Sequence, residues 1–471
     1  MLRTVRSVAM NTGDQYQAIV IGSGQAANPL CSALAAAGMR TALIEREHVG
    51  GTCINEGCTP TKTMVASGRV AYLARRGADY GVNTDNLRID MARVRKRKRD
   101  IVDSFRNGSQ ARLEKTPNID LIFGEASFTG PKSVAIRLND GTQRTVSADQ
   151  IFINAGCRPG LPKVEGLKDV PHLNSTSIME LDSVPEHLLV LGGGYVGLEF
   201  GQLFRRLGSR VSMVHSGMQL LNNEDPDVAA ETASIMKQDG LDICLNARAE
   251  RVAMSGSQIT LGVCEASETR TIEGSHLLVA TGRRPNSETL NLAAAGIACD
   301  KHGFITVNSE LETSVPGVYA LGDINGGSQF THISYDDFRI LKTNVIEKGN
   351  ASTAGRLLPY TVFIDPQLGR VGLSESQARE QNKKIRVAKM LMKYVARAQE
   401  VDESRGFMKA IVDADTDQIL GAAVLGLEGG EIMAQLQIAM MGKLPYTTLR
   451  DAIFAHPTLA ESLNNLFSHW I

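Results

Sequence analysis

The chain has 471 residues, 43% hydrophobic and 21% charged, a length that supports two to four domains. Its 50 basic and 51 acidic side chains nearly cancel, so charge draws it neither to nucleic acid nor to an anionic membrane. No apolar run reaches the length of about 18 residues that spans a bilayer, and seven cysteines with one suggestively spaced pair argue against a secreted disulfide scaffold.

Residues 1–14 carry Arg3 and Arg6 and no acid before Asp14. They lack the apolar core of a secretory signal and read as a short flexible tail, or as a start placed ahead of Met10, in a cytoplasmic protein. Tyr16 to Ile21 is a short apolar run that stops at Gly22-Ser23-Gly24-Gln25-Ala26-Ala27. A helical pattern to Gly38 and a second apolar run, Thr41 to Ile44, lead to Glu45. Strand, glycine turn, helix, strand and acid form the dinucleotide fingerprint in its required context. Gly22 makes the turn, Gly24 admits a pyrophosphate, Ala27 packs helix on strand, and Glu45 is placed to accept from a ribose.

Next comes Gly50-Gly-Thr-Cys-Ile-Asn-Glu-Gly-Cys-Thr-Pro-Thr-Lys62, with Cys53 and Cys58 separated by four residues. A regular helix separates i and i+5 by about 7.5 Å along its axis, whereas a disulfide wants Cα atoms roughly 4.4–6.8 Å apart. The pair can close only where the helix is irregular, which Gly57 permits, and so small a bridge suits a redox couple. On spacing alone, two unrelated buried thiols remain the alternative. The basic run Arg93 to Arg99 reads as a solvated helix face, since no aromatics interleave with it. From Ile119 to Ile153 short strands are expected, with turns at Gly124, Gly130 and Asn139-Asp140-Gly141.

The architecture then repeats. His187 to Leu191 runs into Gly192-Gly-Gly-Tyr-Val-Gly197, a helix to Leu207 and a strand from Arg210 to Val214. This second fingerprint has all three glycines, at 192, 194 and 197. Where the first module has Glu45 the second has His215, followed by Ser216, so the acid that would hold an unphosphorylated ribose is missing. That favours NADPH over NADH. The run Leu277 to Asn286, containing Gly282, echoes Ile151 to Pro159. Asp323 follows an apolar strand and precedes Gly326 and Gly327; it reads as a ligand for a cofactor hydroxyl or as a turn cap. Past Gly355 alternating strands and helices lead to His456-Pro-Thr-Leu-Ala-Glu461, where a helix start at Pro457 is expected and an imidazole–carboxylate pair is possible.

Together these motifs resemble the class I pyridine nucleotide–disulfide oxidoreductases, the family of dihydrolipoamide dehydrogenase, glutathione reductase and mercuric reductase. The segments Gln329 to Arg339 and Leu444 to Arg450 are most similar to the mercuric-reductase-like branch, especially its reactive-chlorine-resistance flavin reductases. The resemblance implies an α/β fold with two Rossmann-like domains and a C-terminal α+β dimerisation domain. It divides the chain into a tail (1–14), an FAD domain in two parts (15–164 and 286–355), an NAD(P) domain (165–285) and an interface domain (356–471).

The resemblance also implies roles. FAD would lie on Gly22, Gly24, Ala27, Glu45, Gly51, Thr52, Lys62 and Asp323, and the helix after Gly327 would point its positive end at the flavin. The nicotinamide coenzyme would lie on Gly192, Gly194, Tyr195, Gly197, His215, Ser216 and Gly282, with Tyr195 as a gate. Cys58 would be the thiol against the flavin and Cys53 the interchange thiol. Lys62 would pair with Glu199, and His456 and Glu461 would come from the partner of a homodimer as acid and base. No resident metal is expected. The chain departs from typical mercuric reductases in having no cysteine after Cys299, so the acceptor is left as a metal ion, an oxidant or a small disulfide. Alternatives are dihydrolipoamide dehydrogenase and a flavoprotein redox sensor.

Overall fold

The computed structural model describes residues 14–265 and 268–471. All of the expected tail except Asp14 lies outside them. The chain forms two compact units, one of residues 14–60, Lys98–Pro159 and Arg283–Arg356, the other of Thr61–Arg97, Gly160–Gly282 and Leu357–Ile471.

In the first unit, buried strands Gln15–Ile21 and Thr41–Glu45 lie parallel, with Ile119–Gly130 beside the second and Gln143–Ile153 and Val318–Ala320 beyond the first. Strands buried on both faces read as continuous apolar runs. Here Ala18 to Val20 and Ala42 to Leu43 are wholly inaccessible. Ser133–Leu138 joins Ile119–Gly130 to Gln143–Ile153 by antiparallel ladders.

One expectation about this sheet fails. Gly124 is no turn; it sits inside the Ile119–Gly130 strand, where a Cβ would come within 2.7 Å of the Arg137 carbonyl oxygen on the neighbouring strand. The glycine serves close strand approach, which a one-dimensional reading takes for punctuation.

The second unit repeats the plan and adds to it. Parallel strands run in the order His276–Val279, His187–Leu191, Arg210–Val214, Asp242–Cys244, accompanied by a three-stranded antiparallel sheet over residues 247–274. A five-stranded antiparallel sheet, from Tyr360–Val362 to Ile419–Gly426, carries the helix Gly429–Met441. The two echoing segments meet in the first unit, where Cys157–Pro159 pairs antiparallel with Arg283–Pro285. The basic run lies on the helix Met91–Lys115 and is mostly exposed, but Lys98 departs from the solvated face and is only 4% accessible. Among the described residues no helix is long and apolar enough to cross a membrane.

Candidate functional site

In the first unit the turn after Gln15–Ile21 brings backbone against backbone. A Cβ on Gly22 would lie 2.5 Å from the Asn154 carbonyl oxygen, one on Gly24 2.5 Å from Asn154 Oδ1, and one on Gly51 2.8 Å from the Gly24 Cα. Ala27 opens the helix Ala27–Ala36 and is buried. Glu45 Oε2 accepts from the Ser23 amide at 3.0 Å and the Ser23 hydroxyl at 2.6 Å, which ties the strand end to the glycine turn.

Gly51 and Thr52 begin the short helix Gly51–Asn55, which carries Cys53 half-buried. The helix stops at Glu56, with φ −141°, and a new helix, Cys58–Arg75, starts after Gly57. A Cβ on Gly57 would stand 2.9 Å from the Thr52 carbonyl oxygen and 3.4 Å from the Cys53 Cα, so only glycine lets the chain fold back over the first cysteine. The break falls between the two cysteines, both free thiols here, where a disulfide between them would require it. Cys58 is exposed, and its Sγ lies 3.3 Å from the Thr331 hydroxyl. Thr331 is the first residue of the helix Thr331–Leu341, whose N-terminus is the helix end expected after Gly327. Amide donors and the macrodipole there favour negative charge.

The residues present fit a flavin dinucleotide. The side-chain oxygens of Asn154 and Asn28 and the Nε of Arg283 are buried without a hydrogen-bond partner among the described residues, as befits groups that meet phosphates and hydroxyls. Asp323 lies in the turn Gly322–Asn325; burial raises its carboxyl pKa, opposed by Arg283, whose Nε is 3.8 Å away. Composition and spacing gave no hint of Asn154, Arg283 or Thr331, because their partners come from remote stretches of chain.

The second unit holds the other predicted residues. Lys62 Nζ meets Glu199 Oε2 at 2.7 Å and stands over the Phe363 ring, 4.9 Å from its centroid. Glu199 is 4% accessible, and its other oxygen accepts from the Phe363 amide at 2.9 Å. Gly192 has φ +112°, nothing lies within 4 Å of a Cβ on Gly194, and a Cβ on Gly197 would collide with the Gly192 carbonyl. The second glycine thus leaves an opening that a pyrophosphate would fit, and the third lets helix pack on strand. Half-buried Tyr195 starts the helix Tyr195–Leu207. Gly282, at φ +135°, lies in the link between the strands His276–Val279 and Arg283–Pro285.

His215 Nδ1 accepts from the Gly193 amide at 3.2 Å, which leaves its Nε2–H to donate to Asn222 Oδ1 at 3.1 Å. It takes the place in this turn that Glu45 takes in the first, and exposed Ser216 follows. His456 Nδ1 meets Glu461 at 2.8 Å; that bond and its charge raise the imidazole pKa and lower the carboxyl's. The helix expected to start at Pro457 begins only at Ser462, because Thr458 and Glu461 form a turn first. Among the described residues no three His, Cys, Asp or Glu side chains are grouped to hold a metal.

Residues 16–337 match the family model "Pyridine nucleotide-disulphide oxidoreductase", and residues 358–467 match that family's dimerisation domain. The chain belongs to the pyridine nucleotide-disulphide oxidoreductases. It is 38% identical to the "Probable pyridine nucleotide-disulfide oxidoreductase RclA" of Escherichia coli K12, over 97% of this chain and 99% of the relative. It is 32% identical to a mercuric reductase of Lysinibacillus sphaericus over 98% of this chain and 83% of that one. A solved structure titled "Cu(II) complex of HOCl-induced flavoprotein disulfide reductase RclA from Escherichia coli" superposes with a TM-score of 0.89 at 38% identity, covering 98% of this chain and 99% of that one. The oxidoreductase is therefore a flavoprotein of the disulfide-reductase type, mercuric-reductase-like, with two Rossmann-like domains and a C-terminal dimerisation domain.

Proposed function

We propose that this oxidoreductase is a cytoplasmic NADPH-dependent reductase that delivers electron pairs through Cys53 and Cys58 to a thiol-reactive acceptor, a metal ion such as Cu(II) foremost. The observation that carries this reading is the helix break at Glu56–Gly57, which separates the two cysteines and leaves Cys58 beside the Thr331 helix start. In this assignment FAD belongs to 15–164 and 286–355, NAD(P) to 165–285, and the subunit interface to 356–471.

FAD, when bound, supplies the two-electron relay between reduced nicotinamide and the cysteine pair. Gly22, Gly24, Gly51 and Thr52 offer it backbone, Ala27 packs the helix that faces its phosphates, and Glu45 and Asp323 bind hydroxyls. Lys62, held by Glu199, is the cation that stands at the ring. Gly192, Gly194, Gly197 and Gly282 make room for the coenzyme, Tyr195 gates it, and His215 with Ser216 replaces the ribose-binding acid, which favours NADPH.

Cys58 is held where a helix N-terminus favours its thiolate. Cys53 is the thiol that meets the acceptor. With a cupric acceptor the dithiol loses two protons and two electrons, the Cys53–Cys58 bond forms, and two Cu(II) become two Cu(I). His456, oriented by Glu461 and contributed by the partner of a homodimer, takes and returns the thiol proton through Nε2.

A second reading is dihydrolipoamide oxidation. It is favoured by 30% identity to a dihydrolipoyl dehydrogenase of Chlamydia muridarum over 95% of both chains, and opposed by His215. Steady-state turnover with Cu(II), Hg(II), glutathione disulfide, lipoamide and hypochlorite-derived oxidants, under NADPH and NADH, separates the two. Fast Cu(II)-dependent NADPH oxidation that Cys53→Ser abolishes is expected. Turnover confined to lipoamide with NAD would replace this reading with the second. Cys58→Ser protein reduced with NADPH is expected to lack the long-wavelength absorbance of a thiolate stacked on flavin.

A further inference from the structure

The second unit contains a cleft that the proposed reaction does not use. It is a hollow of about 670 Å³ where the ends of the Cys58–Arg75, Tyr195–Leu207 and Pro226–Gln238 helices approach residues 402–405. Five arginines line it. Three are neutralised: Arg76 by Asp79 and Asp402, Arg206 by Asp239 and Asp365, Arg405 by Asp239 and Glu403.

Arg75 and Arg205 are different. Neither has a carboxylate partner among the described residues. Arg75 donates to the Arg206 carbonyl, and Arg205 makes a long bond, 3.4 Å, to the Ser209 carbonyl. The Arg205 Nε is buried with no acceptor. Burial, and then the neighbouring Arg205 charge, pull the Arg75 guanidinium below its ordinary pKa. Two glycines make the approach possible. A Cβ on Gly240, at φ +88°, would lie 2.7 Å from the Arg205 Nε, and at Gly208, φ +122°, the one atom within 4 Å is Arg75 Nη2 at 3.8 Å.

Carbonyls at helix ends attract cations, and the Arg206 carbonyl accounts for one donor of Arg75. They do not account for two adjacent guanidiniums with donors to spare, one of them buried. Planar guanidiniums pair bidentately with oxyanions, and a shared anion would turn a like-charge contact into an attraction. We infer that the cleft binds a tetrahedral oxyanion of the phosphate class between Arg75 and Arg205, with the Ser404 hydroxyl alongside.

The test uses holoenzyme saturated with NADP+, so that the coenzyme site is filled, at fixed ionic strength set with chloride. Calorimetric titration with orthophosphate is expected to saturate at one ion per chain, with sulfate competing. Arg75→Gln and Arg205→Gln should each weaken binding at least tenfold and leave NADPH oxidation unchanged, while Arg137→Gln, at an exposed ion pair, changes neither. Without phosphate, Arg205→Gln should unfold no lower than the natural protein, because it relieves repulsion; a purely structural arginine would lower Tm. An AMP arm that binds as well as orthophosphate would identify a nucleotide phosphate as the occupant, and orthophosphate alone the free ion. A phosphate response no larger than that of chloride, full affinity in Arg205→Gln, or a Tm several degrees lower in phosphate-free Arg205→Gln would each overturn the inference.

Discussion

His456 gives one ring nitrogen to Glu461 and leaves the other for chemistry. Because the carboxylate takes Nδ1 at 2.8 Å, Nε2 is the atom left to exchange protons in the proposed reaction. The pair's side chains are 70% and 26% exposed, so its worth lies in basicity rather than in stability. The folded imidazole pKa is raised; whatever stabilisation the pair gives is complete below the ordinary value of 6.5 and is lost as pH climbs through the raised one. Glu461→Gln should return the His456 NMR titration midpoint toward 6.5. Turnover should fall about tenfold to hundredfold, part of the ~10²–10⁴ that acid–base catalysis supplies; an unmoved midpoint would detach Glu461 from the role. The pair's residues stood in the sequence, since five positions apart is local. The contact of Thr331 with Cys58, 273 positions away, could not be read there, because the marked segment around Thr331 says nothing of which remote residue it meets.

At the scale of elements, the fingerprints were legible because their glycines stand at fixed spacing between an apolar strand and a helix, even though the backbone that crowds Gly22 and Gly192 comes from the distant Asn154 and Ala280. The Gly57 break was legible because its demand is local, from the Thr52 carbonyl five residues back. Gly124 was misread because its demand comes from the next strand. A subtler device joins the neighbouring strands His187–Leu191, Arg210–Val214 and Asp242–Cys244. Arg210 donates to His187 Nδ1 at 3.0 Å, so Nε2–H points to the Ser212 hydroxyl at 2.9 Å, which leans toward Asp242 at 3.5 Å. Burial, then the Arg210 charge, lowers the His187 pKa. Above about 6.5 neither state of the chain protonates this group. As pH falls below that, the unfolded chain takes a proton that the folded strand resists, and stability declines. His187→Gln keeps both hydrogen bonds and removes the titration. Its Tm should drop less between pH 7 and pH 5 than the natural protein's, by about 1–2 °C for each kcal/mol of linkage removed. Identical slopes would show that His187 does not carry the linkage.

At the scale of the molecule, the Gly429–Met441 helix buries Ile432, Met433 and Leu436 and turns Ile438 and Met441, 66% and 67% exposed, outward. Ile453 is fully exposed in the same matched dimerisation domain. Large apolar side chains left in water at such spacing call for a partner surface. Ile438→Asp with Met441→Asp should shift sedimentation from dimer to monomer and abolish turnover with the acceptor while FAD remains bound, because the proposed acid–base residue belongs to the other subunit. A fully active monomer would remove the partner's imidazole from the mechanism. The domain repeat was legible in the sequence because each module carries its own complete pattern. The five-stranded sheet was not, because antiparallel pairings such as Gln367–Gly372 with Ile419–Gly426 leave only alternation to read.

Ser23 leans on Glu45 and Gly193 on His215, so each glycine turn is pinned from the end of the neighbouring strand. One pin is a carboxyl and the other an imidazole, yet both perform the same mechanical task. On the proposed assignment of His215 to the coenzyme's ribose, the choice of coenzyme can drift at that one residue without loosening the loop, provided the newcomer still offers a lone pair to the amide. Cofactor identity in such a chain is a replaceable part fastened to a fixed hinge.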